Sequence, residues 1–255
     1  MDHRFCFAVP VYGCGFLFEG ESVQKPSIDK LGDHRADWIT RYDPSNHLPN
    51  CRIPILFVHG LLDTPATWVP MVNALRMDPV IRKKYQVWSY SYPSGYPYPY
   101  SASLLRKELD RVREVFPNHK PILYIGHSMG GMIGRLMLTD SGDKIWNAYF
   151  HQPPAKVGMP AKEKKLMEDM LIFKSRPDIS RAIFICSPHR GAKLAGNWVG
   201  KIGRRLVRVP KTILALGDAI TQVATFSQGG LAYESLPTSI DTLTPTNTFV
   251  KAVDD

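Results

Sequence analysis

Ser128 is the residue around which chemistry can be built. It lies in Gly126-His127-Ser128-Met129-Gly130, a G-x-S-x-G pattern. Ile122-Leu123-Tyr124-Ile125 leads straight into it, and Met132, Ile133, Leu136 and Met137 follow at helical spacing. A strand, a sharp turn and a helix in that order hold a serine on the turn, in strained backbone geometry. Gly126 and Gly130 let neighbouring chain come close, because a side chain at either position would clash. The helix N-terminus behind Ser128 favours negative charge growing on an attacked carbonyl. The chemistry such a residue offers is nucleophilic attack. The plainer alternative is a Gly-rich turn in which the serine is a passive cap, and the five residues alone do not choose between them. The flanking strand and helix, with a second matching piece upstream, favour the nucleophile.

A serine hydroxyl needs a base, an acid behind that base, and donors for the oxyanion. The donors can be assigned. Met129, the residue after the nucleophile, supplies one backbone N–H. The second is expected from the loop after the apolar run ending at Val58, where Leu61 follows His59-Gly60. Backbone donors suit this role because they are in place before the charge appears.

The elements that position these residues follow from periodicity. Ile53-Pro54-Ile55-Leu56-Phe57-Val58 is a continuous apolar run suited to a buried parallel strand. A helix opens near Thr64-Pro65-Ala66-Thr67 and runs through Trp68, Met71, Val72 and Leu75, with Thr64 or Thr67 available as caps. Tyr85 to Tyr92 is the next strand. A loop of tyrosines and prolines follows at 93–100, either rigid packing over the sheet or an aromatic wall for an apolar acyl chain. Ser101 to Phe116 is an amphipathic helix, with Leu104, Leu105, Leu109, Val112 and Phe116 on one face. Residues 140–178 break the alternation and are expected as an insertion or part of a cap, with a short helix from Ala161 to Phe173. Ala182 to Cys186 returns to the sheet, with Cys186 expected as a buried thiol. Trp198 to Val209 and Thr212 to Phe226 read as helices, and a last helix is expected from Phe249. Strand–helix alternation of this kind indicates a mostly parallel α/β sheet with helices on both faces.

At this point the chain resembles an α/β-hydrolase of the bacterial serine esterase and lipase type. Val58-His59-Gly60-Leu61-Leu62, Gly126-His127-Ser128-Met129-Gly130-Gly131 and Ser187-Pro188-His189-Arg190-Gly191 match, in order, an oxyanion loop, an elbow and a T-P-H-x-G-like segment. Three ordered motifs are more specific than any one. The resemblance covers roughly residues 42–250. It implies an α/β-hydrolase fold and hydrolysis of carboxylic esters through an acyl-serine intermediate on Ser128, with no metal and no cofactor. It also implies a triad in the chain order Ser, then Asp or Glu, then His. Here the sequence departs. After Ser128 the only histidines are His151 and His189. His151 lies in the 140–178 segment. His189 comes earlier than the expected base and is better suited to shaping the pocket rim. His127 is read as a packing or hydrogen-bonding residue, and His59 and Gly60 as support for the oxyanion loop. Asp241 has no strand before it and is not assigned. The fold is therefore expected to be incomplete at its C-terminal end, as if the chain stopped before the acid and the base. The rival to an active esterase is a catalytically incomplete chain that binds a lipid or a partner, or a fragment of a longer hydrolase.

Composition bounds the rest. Hydrophobic residues at 44% and charged residues at 22% are ordinary for a globular protein. Residues 51–255 suit one α/β core, with a basic helical segment at about 193–226 and an irregular N-terminal extension over 1–50. The net charge of +9 is local. Between Asp178 and Asp218 lie Arg181, Arg190, Lys193, Lys201, Arg204, Arg205, Arg208 and Lys211 with no acidic residue. A solvated face is the plainest reading. A peripheral contact with an anionic membrane is the next, because Trp198, Ile202 and Leu206 lie opposite the basic face. Nucleic acid is set aside, since no recognition fold accompanies the charge. The four cysteines show no zinc spacing, and His3, His34 and His47 lack partners at metal-ligand spacing. No apolar run reaches the roughly 18 residues of a membrane span. Val11-Tyr12-Gly13-Cys14 is only weakly similar to a lipoprotein cleavage site, since Pro10 interrupts the short apolar run and Tyr12 is bulky. A cytoplasmic or peripheral-membrane protein is expected.

Overall fold

The computed structural model describes residues 15–18, 52–192 and 241–254. The basic segment at 193–226 and Cys6, Cys14 and Cys51 lie outside them. Five strands form one sheet: β1 (Gly15–Phe18), β2 (Ile53–Val58), β3 (Tyr85–Ser91), β4 (Ile122–His127) and β5 (Ile179–Ile185). Their spatial order is β1-β3-β2-β4-β5. The last four run parallel, and β1 pairs antiparallel with β3, Gly15 opposite Ser91. β1 comes from the expected N-terminal extension, so part of that segment joins the sheet.

The apolar run of β2 is explained by burial on both faces. Leu56 and Val58 enter a main core with Trp88, Tyr90, Tyr124, Leu105 and Ile133. Ile55 and Phe57 point the other way, into a smaller core with Trp68 and Ile125. A strand with no wet face needs a continuous apolar sequence rather than an alternating one. Register then aligns the strand ends. Val58 sits opposite Gly126, and Gly126 opposite Phe184. The loops after β2, β4 and β5 therefore leave the sheet along one edge. This is the carboxyl edge, where open α/β sheets place their sites.

Seven helices complete the described chain: α1 (Val69–Met77), α2 (Pro79–Lys84), α3 (Tyr98–Val115), α4 (Met129–Met137), α5 (Lys144–Phe150), α6 (Ala161–Leu171) and α7 (Thr248–Asp254). The helices expected near 64–75, 101–116, 129 onward, 161–173 and 249 onward are present. Several details differ from expectation. The first helix begins as a 3-10 turn at Pro65–Trp68, and Thr64 makes no side-chain cap bond. α2 was not foreseen. Its cap is Asp78, whose carboxylate accepts from the Val80 and Ile81 amides, with Pro79 as its first residue.

Residues 140–178, expected as an insertion or part of a cap, connect α4 to β5 and pack in the main core. Ile145, Trp146, Met167, Met170 and Leu171 are all buried there. Arg176 braces this crossover. It pairs with Asp178 at 2.7 Å and with Asp110 of α3, and its amide donates to the Met137 carbonyl. Cys186 is exposed rather than buried. It follows β5, an edge strand among the described residues, and its φ of 49° turns the chain away from the sheet.

Candidate active site

Ser128 stands between β4 and α4 with φ 51° and ψ −119°. For a non-glycine residue this is strained backbone, and such strain persists only where the surroundings over-determine it. The surroundings here are specific. The Ser128 amide donates to the Ile185 carbonyl of β5 at 2.9 Å, and its carbonyl accepts from Gly131 at 3.0 Å. A Cβ on Gly126 would stand 2.6 Å from the Gly130 carbonyl carbon. A Cβ on Gly130 would meet the Val58 and His59 carbonyl oxygens. Both glycines of the motif are thus required by close backbone approach. Tyr124 Oη adds a hydrogen bond to the Gly130 carbonyl at 2.6 Å, deep in the core.

The loop after β2 lies against the elbow. A Cβ on Gly60 would stand 3.1 Å from Ser128 Cβ and 3.2 Å from His127 Nδ1. The structure therefore brings His59, Gly60, His127 and Ser128 together. His59 is fully buried, its Nδ1 lies 3.0 Å from the Gly60 carbonyl oxygen, and its ring stacks on Tyr92 at 4.3 Å. Tyr92 Oη donates to the His59 carbonyl at 2.7 Å. Burial holds the His59 imidazole below its ordinary pKa, against smaller opposing effects of Gly60, Asp63 and Tyr92, so the ring is neutral near pH 7. Leu61 packs against the main core. Met129 is buried and opens α4, where an N–H has no intrahelical acceptor.

The histidines take different places. His127 is half-buried and sits edge-on to Trp68, ring centroids 6.4 Å apart. His189 packs edge-on to Phe184 at 4.8 Å, and its carbonyl accepts from Arg135 of α4 at 3.2 Å. Burial, then the Arg135 charge, lower its pKa, and its Nδ1 is buried without a partner. His151 is exposed at the end of α5 with φ 52°. Among the described residues no hydrogen bond joins the Ser128 hydroxyl to a histidine or a carboxylate. Asp241 opens a short 3-10 turn whose Leu243 carbonyl accepts from the Ala192 amide at 2.7 Å.

The contacts of Leu62 and Ser187 had no signal in the sequence, whereas packing by the tyrosine–proline loop was one of its two expected readings. Leu62 adopts φ 55°, and its amide donates to Ser94 Oγ at 3.0 Å, which ties the Gly60 loop to the tyrosine–proline loop. That second loop is mostly packing: Tyr92, Pro97, Tyr98 and Pro99 are buried, while Tyr96 and Tyr100 touch each other at 5.5 Å. Ser187 lies under Gly131, where a Cβ would meet its hydroxyl. A contact across 32 residues (Leu62 to Ser94) leaves no local pattern to read.

Comparison with known proteins bears on the fold. Residues 53–174, just under half of the chain, match the family of the alpha/beta hydrolase fold. That span holds the Gly60 loop, the elbow and the crossover. No curated protein matches the sequence. Among solved structures, the mature lipase BlEst2 of Bacillus licheniformis is 16% identical over 79% of this chain and 66% of its own, with a TM-score of 0.38. The propeptide form of that lipase is 19% identical over 64% of this chain and 29% of its own, with a TM-score of 0.37. A thermostable carboxyl esterase from Bacillus coagulans is 15% identical over 80% of this chain and 64% of its own, with a TM-score of 0.32. The chain thus spans less than two thirds of the length of each of these structures. The family match over residues 53–174, the mostly parallel sheet and the strained serine at its carboxyl edge agree on one architecture: the chain has the α/β-hydrolase fold.

Proposed function

We propose that this protein is a serine hydrolase of carboxylic esters, with lipid-like esters as the substrate class. The observation that carries the reading is Ser128 at φ 51° on the turn into α4, with the Gly60 loop against it. In this reading Ser128 Oγ adds to the ester carbonyl and its proton passes to a base. The carbonyl oxygen becomes an oxyanion held by the Met129 and Leu61 amides. Collapse of the tetrahedral intermediate expels the alcohol and leaves an acyl-serine, which water hydrolyses to the acid. His59 and Gly60 support the oxyanion loop, His127 lines the nucleophile, and His189 shapes the pocket rim. The base and its acid are not assigned to a described residue. No cofactor enters this chemistry.

A fluorophosphonate probe tests the reading, because it reports an activated serine without a chosen substrate. The native chain is expected to label, and Ser128→Ala to lose the label entirely. A folded native chain that does not label overturns the reading. It would favour the second one, a hydrolase-fold chain without a working triad, in keeping with a Ser128 hydroxyl that has no histidine or carboxylate partner among the described residues.

A further inference from the structure

The outer side of α1 breaks the usual pattern of a surface helix. Its sequence is Val-Pro-Met-Val-Asn-Ala-Leu-Arg-Met, and none of its residues is buried. Val72 and Leu75 turn toward the smaller core. Val69, Pro70, Met71, Asn73, Ala74 and Met77 are exposed, and only Asn73 among them is polar. A helix packed on a sheet ordinarily turns charged and polar residues to water on that side. Met77 is 82% exposed and Val80, just beyond in α2, is 55% exposed. Leu62, in the loop leading from β2 to this helix, is 61% exposed and is held at positive φ. Of the large apolar side chains standing out from the described surface, most fall between residues 62 and 80. Clustered exposure of this kind marks a contact surface.

The charge around it selects the partner. α2 ends Arg82-Lys83-Lys84, all exposed. At 100° per residue, Lys83 and Lys84 flank Val80 on its two sides. Arg52 and Arg82 line a groove at the inner margin, over Ile55, Ile81, Tyr85 and Val87. The acidic groups of this stretch are Asp63 and Asp78. Both are engaged with backbone, Asp63 with the Thr64 amide and Asp78 with Val80 and Ile81. Apolar side chains ringed by lysine and arginine fit a layer whose surface is anionic and whose interior is apolar. Among the described residues no helix is long and apolar enough to cross such a layer.

We infer that the exposed face of α1 and α2 docks the protein on an anionic lipid surface, with Met77 and Val80 entering the headgroup boundary and Lys83 and Lys84 pairing with lipid phosphates. The face follows directly on the Gly60 loop in the chain. Docking does not depend on the chemistry of Ser128, so it stands or falls apart from the proposed hydrolysis.

Co-sedimentation of the full chain with vesicles tests it. The protein is expected to bind phosphatidylcholine vesicles containing phosphatidylserine, and to bind pure phosphatidylcholine far more weakly. Met77→Asp with Val80→Asp should weaken binding roughly tenfold or more, since two apolar anchors are lost. Lys83→Gln and Lys84→Gln should each cost roughly fivefold. These positions are exposed, so circular dichroism and thermal unfolding should stay those of the parent. Ser128→Ala should bind like the parent, whatever fluorophosphonate labelling shows. Absence of vesicle binding overturns the inference, as does binding that Met77→Asp with Val80→Asp leaves unchanged. Loss of binding on Arg204→Glu, Arg205→Glu and Arg208→Glu alone would assign the membrane contact to another face. A concentration-dependent dimer dispersed by Met77→Asp, without vesicle binding, would assign this face to a second copy of the chain.

Discussion

At the scale of single residues, the elbow is a problem in close approach. Gly130 packs against the carbonyls of Val58 and His59, which are backbone and cannot swing aside. Gly130→Ala should therefore destabilise the fold by about 1–3 kcal/mol, the usual cost of overpacking, read as a lower urea midpoint at unchanged m-value. His59 carries a pH signature. Its folded pKa is lowered by burial, so below 6.5 the unfolded chain binds a proton that the folded chain refuses. Its contribution to stability is full above that value and is lost as pH falls below it, toward the folded pKa. Melting temperature should drop with acid in this window, and His59→Phe should flatten the drop; an unchanged slope would remove His59 as its source. His189 is lowered too and acts in the same direction. The serine, its flanking glycines and the His59-Gly60 loop were all legible from residue type and spacing. Leu62 and Cys186 were not. Each adopts a positive φ, and a leucine or cysteine carries no local hint of that conformation.

At the scale of elements, one contact ties the distant end of the chain to the elbow helix. Arg135 of α4 donates to the Val253 carbonyl at 2.8 Å and the His189 carbonyl at 3.2 Å, and pairs with Asp254. Phe249 and Val250 of α7 are buried in the main core beneath this latch. Arg135→Met should free the end of α7 at a cost of about 1–2 kcal/mol, a discounted value for partly exposed charged hydrogen bonds. Faster amide exchange in residues 248–254 would register it, while exchange in β4 should stay slow. Strands and long helices were legible because burial imposes a period. β2 is apolar throughout since both of its faces are covered, and α3 shows a clean apolar stripe. α5 and α6 were harder to interpret. They lie in a stretch broken by prolines and charge, and its role as the crossover from α4 to β5 emerges only once Trp146 and Met170 are seen in the core.

At the scale of the whole molecule, net charge and surface decide how the protein meets its surroundings. A chain at +9 approaches anionic surfaces readily, and exposed charges are screened within about 8 Å at physiological ionic strength. Vesicle binding through α1 and α2 should therefore weaken as salt rises, but not vanish, because Met77 and Val80 contribute without charge. A sequence pattern shows how apolar a segment is. It does not show that the segment is left uncovered, and α1 looked like any half-buried helix. By itself the sequence determined the serine-bearing turn, the order of the sheet-forming segments and the α/β class. Those depend on local backbone geometry and on burial periods, which are written into neighbouring residues. Only the tertiary structure decided that Leu62 ties the Gly60 loop to Ser94, that α7 latches onto Arg135, and that α1 turns an apolar face outward. Each of those is a contact, or a missing contact, between positions far apart in the chain, and its free energy exists only when the fold brings them together.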